Sequence, residues 1–291
     1  MAVFEVSPRS LISPLGIVRF CEIFFACTAF SLVAVHHSYS GSSGDWCMFT
    51  WCFCFAVTVL IILAEFIGLA QSLPISWDDF TSAFSMLAAL MIFTTSVVYP
   101  SVFIHNNCSG RVCGYKGAAT AMSILCFIAY AVEVGLTRAK PGEISGFLAT
   151  VPGLLKVFEA YVACLIFSML SMTDYRSYAG LQWCVAVYSI CFIITTLIII
   201  LTVGRCLASL PFPLEKFMVG YNVLAVLMYI TATFVWPIYG FKNLQRTEVC
   251  NSKPCTWDYR LGVTFLTIFN LIAYIVDLVY SSKMVFVTTP A

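Results

Sequence analysis

Eight apolar runs, each close to the length of a bilayer crossing, limit what this chain can become more than any other feature. They cover about Ile17–Val35, Trp51–Ala70, Phe80–Ile104, Gly117–Thr137, Leu154–Ser171, Gln182–Val203, Phe217–Phe241 and Leu261–Ser282 of the 291 residues. A transmembrane helix needs about 20 mostly apolar residues. Backbone polar groups in hydrocarbon must be satisfied internally, so the runs are helices. The short alternating segments of a β-barrel are missing. Residue usage agrees, with 61% hydrophobic and 10% charged, against about 25% charged in an ordinary soluble domain. The expected fold class is an all-α membrane protein with eight transmembrane helices and little chain left for a soluble domain. The opening MAVFEVSPRSLISPLG shows no short apolar core followed by a cleavage site. The first run is therefore expected to be a retained anchor, with both termini on one side. A net charge of +1 without a strong basic cluster gives no reason to expect nucleic acid.

The eight runs are one set of four written twice. Gly16, Arg19, Glu22, Ala26, Cys27, Phe30 and Ser31 reappear 137 residues later as Gly153, Lys156, Glu159, Ala163, Cys164, Phe167 and Ser168. The same shift carries Trp46-Cys47 onto Trp183-Cys184, Ser72-Leu73-Pro74 onto Ser209-Leu210-Pro211, Phe80 onto Phe217 and Pro100 onto Pro237. It becomes 142 for Cys108 and Cys113 onto Cys250 and Cys255, and 144 for Lys116 onto Arg260 and AYAVE (129–133) onto AYIVD (273–277). Insertions fall in one loop while the spans keep register. An even number of spans per unit makes the copies face the same way, a parallel repeat. The units are expected at 1–140 and 141–291, divided within TRAKPGEISG, whose Pro, Gly and charges suit a linker.

Basic residues do not orient the chain: eight of the 15 fall on the side of the termini and seven on the other. Cysteines are more informative. Most of the 14 lie in apolar runs, where Cys acts as a small hydrophobe. The exceptions are CSGRVC and CNSKPC, in the loops after spans three and seven. Each can close a disulfide, Cys108–Cys113 and Cys250–Cys255, which persists in an oxidising compartment. A zinc site would need the four cysteines brought together across both units, and neither loop contains His. Asn107-Cys108-Ser109 is a formal glycosylation sequon close to the membrane. These features place the two loops outside the cell or in a lumen, and both termini in the cytoplasm.

Five acids interrupt the apolar runs: Glu22, Glu65, Glu133, Glu159 and Asp277. A charge at mid-bilayer costs roughly 2.5–3.5 kcal/mol on insertion scales, so depth matters. Glu22 and Glu159 stand near the starts of odd-numbered spans, and the other three near the ends of even-numbered ones. Alternating topology puts all five at one face, roughly 10 Å inside it at about 1.5 Å rise per residue. Arg19 and Lys156 join this layer one turn from Glu22 and Glu159. Each base can pair with its own helix or reach Glu133 or Asp277, pinning the first helix of a unit to the fourth. Packing and snorkelling are the expected role; a proton or ion relay is the functional rival. Tyr99-Pro100 and Trp236-Pro237 are expected at the outer ends of spans three and seven, as interfacial aromatics.

Catalytic signatures are missing. The three histidines, His36, His37 and His105, have no metal-ligand spacing, and neither a nucleophile elbow nor a phosphate-binding Gly loop is present. The expectation is a protein that is not an enzyme, with no cofactor and no metal. Cholesterol or another lipid is the candidate ligand: Val276, Tyr280 and Lys283 fit a proposed sterol pattern, and Lys156, Phe158 and Val162 its reverse, although both match often by chance. Cys206, beside Arg205, is a palmitoylation candidate whose bland reading is a buried small residue.

The stretches SPLGIVRFCEIFFACTAFSLVA, WCFCFAVTVLIILAEF, AYAVEVGLTRAKPGEISGFLATVPGLLK, QWCVAVYSICF and AYIVDLVYSSKMVFV resemble the myeloid-associated differentiation marker family over nearly the whole chain. The resemblance implies tandem MARVEL domains, two parallel-repeated four-helix bundles with cytoplasmic ends. It also implies a role in membrane organisation, in cholesterol-rich microdomains or vesicle traffic, with lipids and other membrane or cortical proteins as partners, in the plasma membrane or secretory-pathway vesicles. It carries over no catalytic residue. The competing reading is a transporter or channel with a site between the two four-helix units, motivated by the parallel repeat and the acid layer.

Overall fold

The computed structural model describes residues 12–37, 39–104, 110–138, 146–206, 214–242, 244 and 255–287. Among them the chain forms eight α-helices and no strand: α1 Pro14–Val35, α2 Gly41–Phe66, α3 Trp77–Phe103, α4 Gly110–Thr137, α5 Val151–Leu170, α6 Ala179–Val203, α7 Leu214–Gly240 and α8 Thr256–Val287. All eight are long and apolar enough to cross a membrane. Several run past their apolar cores. α2 starts ten residues before the run at Trp51, because GSSGDWCMFT continues the helix through a more polar turn.

The duplication reaches the helix ends. Ser13 caps α1 by accepting the Gly16 N–H at 3.0 Å, and Thr150 caps α5 by accepting that of Gly153 at 3.4 Å. Each cap is followed by a proline in the first turn, Pro14 or Pro152, where no N–H is needed. α2 ends with Gly68 in the left-handed region at φ 70°, as helix C-termini favour. The matching position after α6 is Arg205, at φ 55°, a conformation that costs a residue with a Cβ. Pro100 and Pro237 lie inside α3 and α7, one turn from their ends, and accept the N–H groups of Ile104 and Phe241 at 3.0 and 3.2 Å.

The chain divides into two compact units, Met1–Ala149 and Thr150–Ala291. The division expected after residue 140 falls within 139–145, outside the described residues. In the first unit α1 packs against α2 and α4, and α3 against the same two, closing a ring. The second unit repeats it with α5, α6, α7 and α8. Small residues, Ala26, Ala29 and Ala88, let the backbones approach, and Trp51, Tyr99 and Tyr130 fill the centre of the first bundle. Tyr99 and Trp236 are completely buried, which corrects their expected place in an interfacial belt. The Tyr99 ring meets Trp51 edge-on at 5.3 Å, and the Trp236 indole N–H donates to the Arg260 carbonyl at 3.1 Å. Apolar side chains cover the outside, among them Phe24, Phe49, Leu60, Leu197, Phe234 and Phe269.

A short 3-10 turn, Phe147–Ala149, completes the first unit. Its Leu148 N–H donates to Asp79 Oδ1 of α3 at 2.7 Å, while the Ser76 hydroxyl donates to Asp79 Oδ2 at 2.6 Å. A side chain at Gly146 would collide with the Asp79 carboxylate, so this close approach requires glycine.

Candidate functional site

Each bundle gathers its buried acids, with one buried base, at one end. In the first, Arg19 of α1 lies between α2 and α4. Its Nε donates to Glu133 Oε1 at 2.6 Å and its Nη1 to both Glu65 oxygens at 2.7 Å. Trp77 at the start of α3 donates its indole N–H to Glu65 Oε1 at 3.0 Å. All four helices therefore meet at this cluster, two by their starts and two by their ends, as antiparallel neighbours must. Glu65 stays 25% exposed while Arg19 is sealed at 2%. Glu22, one turn from Arg19, makes no ion pair with it among the described residues. Its carboxyl is fully buried, and neither oxygen has a hydrogen-bond partner.

The second bundle builds its cluster around Lys156. The ammonium lies 2.8 Å from Glu159 Oε2, 2.6 Å from Asp277 Oδ2 and 2.6 Å from Asn222 Oδ1. Asp277 Oδ2 meets it as a charge rather than through an aligned hydrogen bond. The Tyr221 and Tyr274 rings flank the ammonium, with centroids at 4.9 and 5.1 Å, a cation–π arrangement. Asn222 donates to Ser281 Oγ at 3.3 Å, and Ser281 donates to Asp277 Oδ1 at 2.9 Å, so α5, α7 and α8 are joined in a closed ring. Lys156, Glu159 and Asp277 are completely inaccessible.

Hydroxyl pairs continue both clusters into the bundles at matching positions. Thr58 and Tyr130 share a hydrogen bond at 2.7 Å; their counterparts Thr195 and Tyr274 do so at 3.0 Å. Trp51 donates to Ser123 at 3.0 Å, where Tyr188 meets Thr267 at 2.8 Å. Cys126 of α4 points its thiol at the Glu22 carbonyl, 3.7 Å away. Asn270, its counterpart on α8, directs its amide to the Glu159 carbonyl at 3.4 Å and to Tyr229 OH at 2.8 Å. At the opposite end, Lys116 donates to the Phe103 carbonyl at 3.1 Å. Arg260 does the same to the Gly240 carbonyl and reaches the Asp174 carbonyl at 3.0 Å. Both bases thereby cap the last turn of the third helix of their unit.

Of the other candidates, Asn107, Cys108 and Cys250 lie outside the described residues. Cys113 and Cys255 are not free thiols. Cys206 is exposed, its thiol 3.4 Å from the Gly204 carbonyl, rather than the buried small residue of the bland reading. Val276, Tyr280 and Lys283 share an exposed stripe of α8, with the ammonium 6.0 Å from the Tyr280 centroid. The reversed sterol pattern is overturned: Lys156 and Val162 belong to the core. Asn222, Asn270, Ser281 and Tyr221 are cluster members that sequence reasoning missed. An Asn inside an apolar run, as in GYNVLA and IFNLIA, was the available signal, since a polar side chain there needs a partner.

The model of a membrane-associating domain, MARVEL, matches the chain twice, at residues 10–136 and 147–280. The chain is 45% identical over 292 residues to the myeloid-associated differentiation marker homolog of Xenopus laevis, covering 96% of this chain and 95% of that protein. It is 44% identical to the human myeloid-associated differentiation marker, covering 97% and 91%. The marker-like protein 2 of Xenopus laevis is 46% identical over 282 residues, covering 94% and 93%. No solved structure matches. Eight apolar helices in two ring-closed bundles, a repeated MARVEL match and relatives aligned end to end converge: the chain is a multi-pass integral membrane protein and belongs to the myeloid-associated differentiation marker family.

Proposed function

We propose that this protein is a non-enzymatic organiser of membrane microdomains or membrane traffic, working through contacts of its helices with lipids and with other membrane or cortical proteins. One observation carries the reading. Within each unit the acids and bases of the cluster are turned into the bundle, Arg19 onto Glu133 and Lys156 onto Asp277, while the outward faces present large apolar side chains such as Phe24, Leu60, Phe234 and Ile272. Such a surface recognises its surroundings by shape and apolar contact, the terms that govern helix association in lipid. The exposed Val276, Tyr280 and Lys283 stripe is the candidate sterol contact. Both termini are assigned to the cytoplasm. The Cys108–Cys113 and Cys250–Cys255 loops, as disulfides, are assigned to the oxidising side of the plasma membrane or of secretory-pathway vesicles.

The full chain in giant vesicles with coexisting ordered and disordered phases tests this. Enrichment in one phase, or a change in domain size with protein density, is expected. Uniform distribution with unchanged domains would remove the reading. The buried charged clusters favour a second reading, a transporter. Ion or solute flux into proteoliposomes above that of empty vesicles, abolished by Glu133→Gln, would establish it instead.

A further inference from the structure

The two clusters share an arrangement that the ion pairs do not explain. In each unit a glutamate on the first helix faces an acid on the fourth: Glu22 faces Glu133, and Glu159 faces Asp277, each within reach of a side-chain hydrogen bond. Yet both Glu22 oxygens, Glu159 Oε1 and Asp277 Oδ2 take no hydrogen bond. Two ionised carboxylates are acceptors only, so neither can donate to the other. Asp277 Oδ2 at least meets the Lys156 charge at 2.6 Å, but three oxygens without a partner in fully buried side chains are costly. Charge is out of balance as well. Arg19 stands against three carboxyls in the first unit, and Lys156 against two in the second.

We propose that each unit is a proton-binding site in which the facing carboxyls, Glu22 with Glu133 and Glu159 with Asp277, share one proton taken from solvent as the bundle forms. The proton turns one acceptor into a donor, and the acid–carboxylate pair then makes the missing hydrogen bond. In the first unit it resides on Glu22, whose oxygens are both unpartnered, because Glu133 Oε1 already accepts from the Arg19 guanidinium at 2.6 Å. In the second it lies between Glu159 and Asp277, which leaves the sealed Lys156 cluster neutral. The groups around each pair are compatible with this. Cys54 of α2, Cys126 and Tyr130 of α4, and Arg19 and Cys21 of α1 are within electrostatic range of Glu22, and Arg19 is the cation among them. Cys191 of α6, Tyr221 of α7 and Tyr274 of α8 are within electrostatic range of Glu159, and Lys156 is its cation at 2.8 Å.

Infrared spectroscopy of the full chain in phosphatidylcholine nanodiscs tests the proposal. A protonated-carboxyl C=O band at neutral pH that downshifts in deuterium oxide is expected. It should weaken in Glu22→Gln and in Glu159→Gln, and weaken further in the double variant. Glutamine keeps the shape and donates an amide N–H where the acid donated its O–H, so both variants should fold, as size exclusion will check. A wild-type spectrum without the band overturns the proposal whatever the variants do. A band unchanged in one variant overturns it for that unit.

Discussion

The two bundles solve one problem with different cations. Arg19 spreads a planar fork across the bundle, joining a carboxylate on α2 and another on α4. Lys156 is a compact point charge and cannot span that distance. Its acceptors crowd around it instead, Glu159 from its own helix, Asn222 from α7 and Asp277 from α8, with two tyrosine faces completing the shell. The surrounding positions differ to match. Where the first unit has Glu65, Ser85, Phe84 and Cys126, the second has Thr202, Asn222, Tyr221 and Asn270. The first cluster keeps one carboxylate, Glu65, 25% exposed at the bundle surface, while the second is closed. The lesson is that a duplicated scaffold retains the depth of its charges while their partners are exchanged together, because a lone change would strand a buried charge.

The largest expected effect breaks this contrast directly. Lys156→Met removes the only cation of the closed cluster and should destabilise the protein by about 3–5 kcal/mol, the usual result of stranding buried charge. Arg19→Gln should cost less, because Glu65 is partly exposed rather than sealed. Unfolding of both variants in matched micelles measures the difference, and equal losses would end the distinction between open and closed clusters. Next, Asn222→Ser installs the first unit's residue in the second. It deletes a hydrogen bond to the ammonium and should cost about 1.5–3 kcal/mol, while Ser85→Ala should cost less. A smaller effect of opposite sign is expected after α6. Arg205→Gly places glycine where the first unit has Gly68 and should stabilise by up to about 1 kcal/mol, read as a raised unfolding temperature.

The smallest lies in the loop between α5 and α6. The Ser177 hydroxyl, then the Arg176 N–H, hold the Asp174 carboxyl below the ordinary aspartate value of 3.8. A carboxyl lowered by folding contributes stability that is present above its unfolded value and is lost as pH falls through the folded one. Asp174→Asn should remove this slight acid sensitivity. Carbon-13 titration of the Asp174 carboxyl reads the shift, and an unshifted titration would discard the loop's role.

Much of this architecture was legible in the chain. Apolar run length announced the helices, and the recurrence of Arg19-x-x-Glu22 as Lys156-x-x-Glu159 announced two units. Helix boundaries were less legible, because polar turns such as Gly41–Thr50 continue a helix after hydropathy has faded. Tyr99 and Trp236 misled because an aromatic beside a proline near a span end suits the membrane interface, and only the packed bundle shows the ring turning inward. Asn222 and Asn270 were visible as polar residues in apolar runs, but their partners lie on other helices.

By itself the sequence determined eight membrane-crossing helices, their duplication, and which ionisable groups would have to be sheltered. These follow from local rules: the length of a bilayer crossing and the cost of bare charge in hydrocarbon. Only the tertiary structure decided who shelters whom. Glu22 is one turn from Arg19 along α1, yet the guanidinium chooses Glu65 and Glu133 from other helices, while Lys156 takes both its near neighbour Glu159 and the distant Asp277. Spacing along a helix places two side chains on one face. Closure of the ring decides which opposing face brings acceptors to it, and the reach and shape of the cation decide which of them it holds.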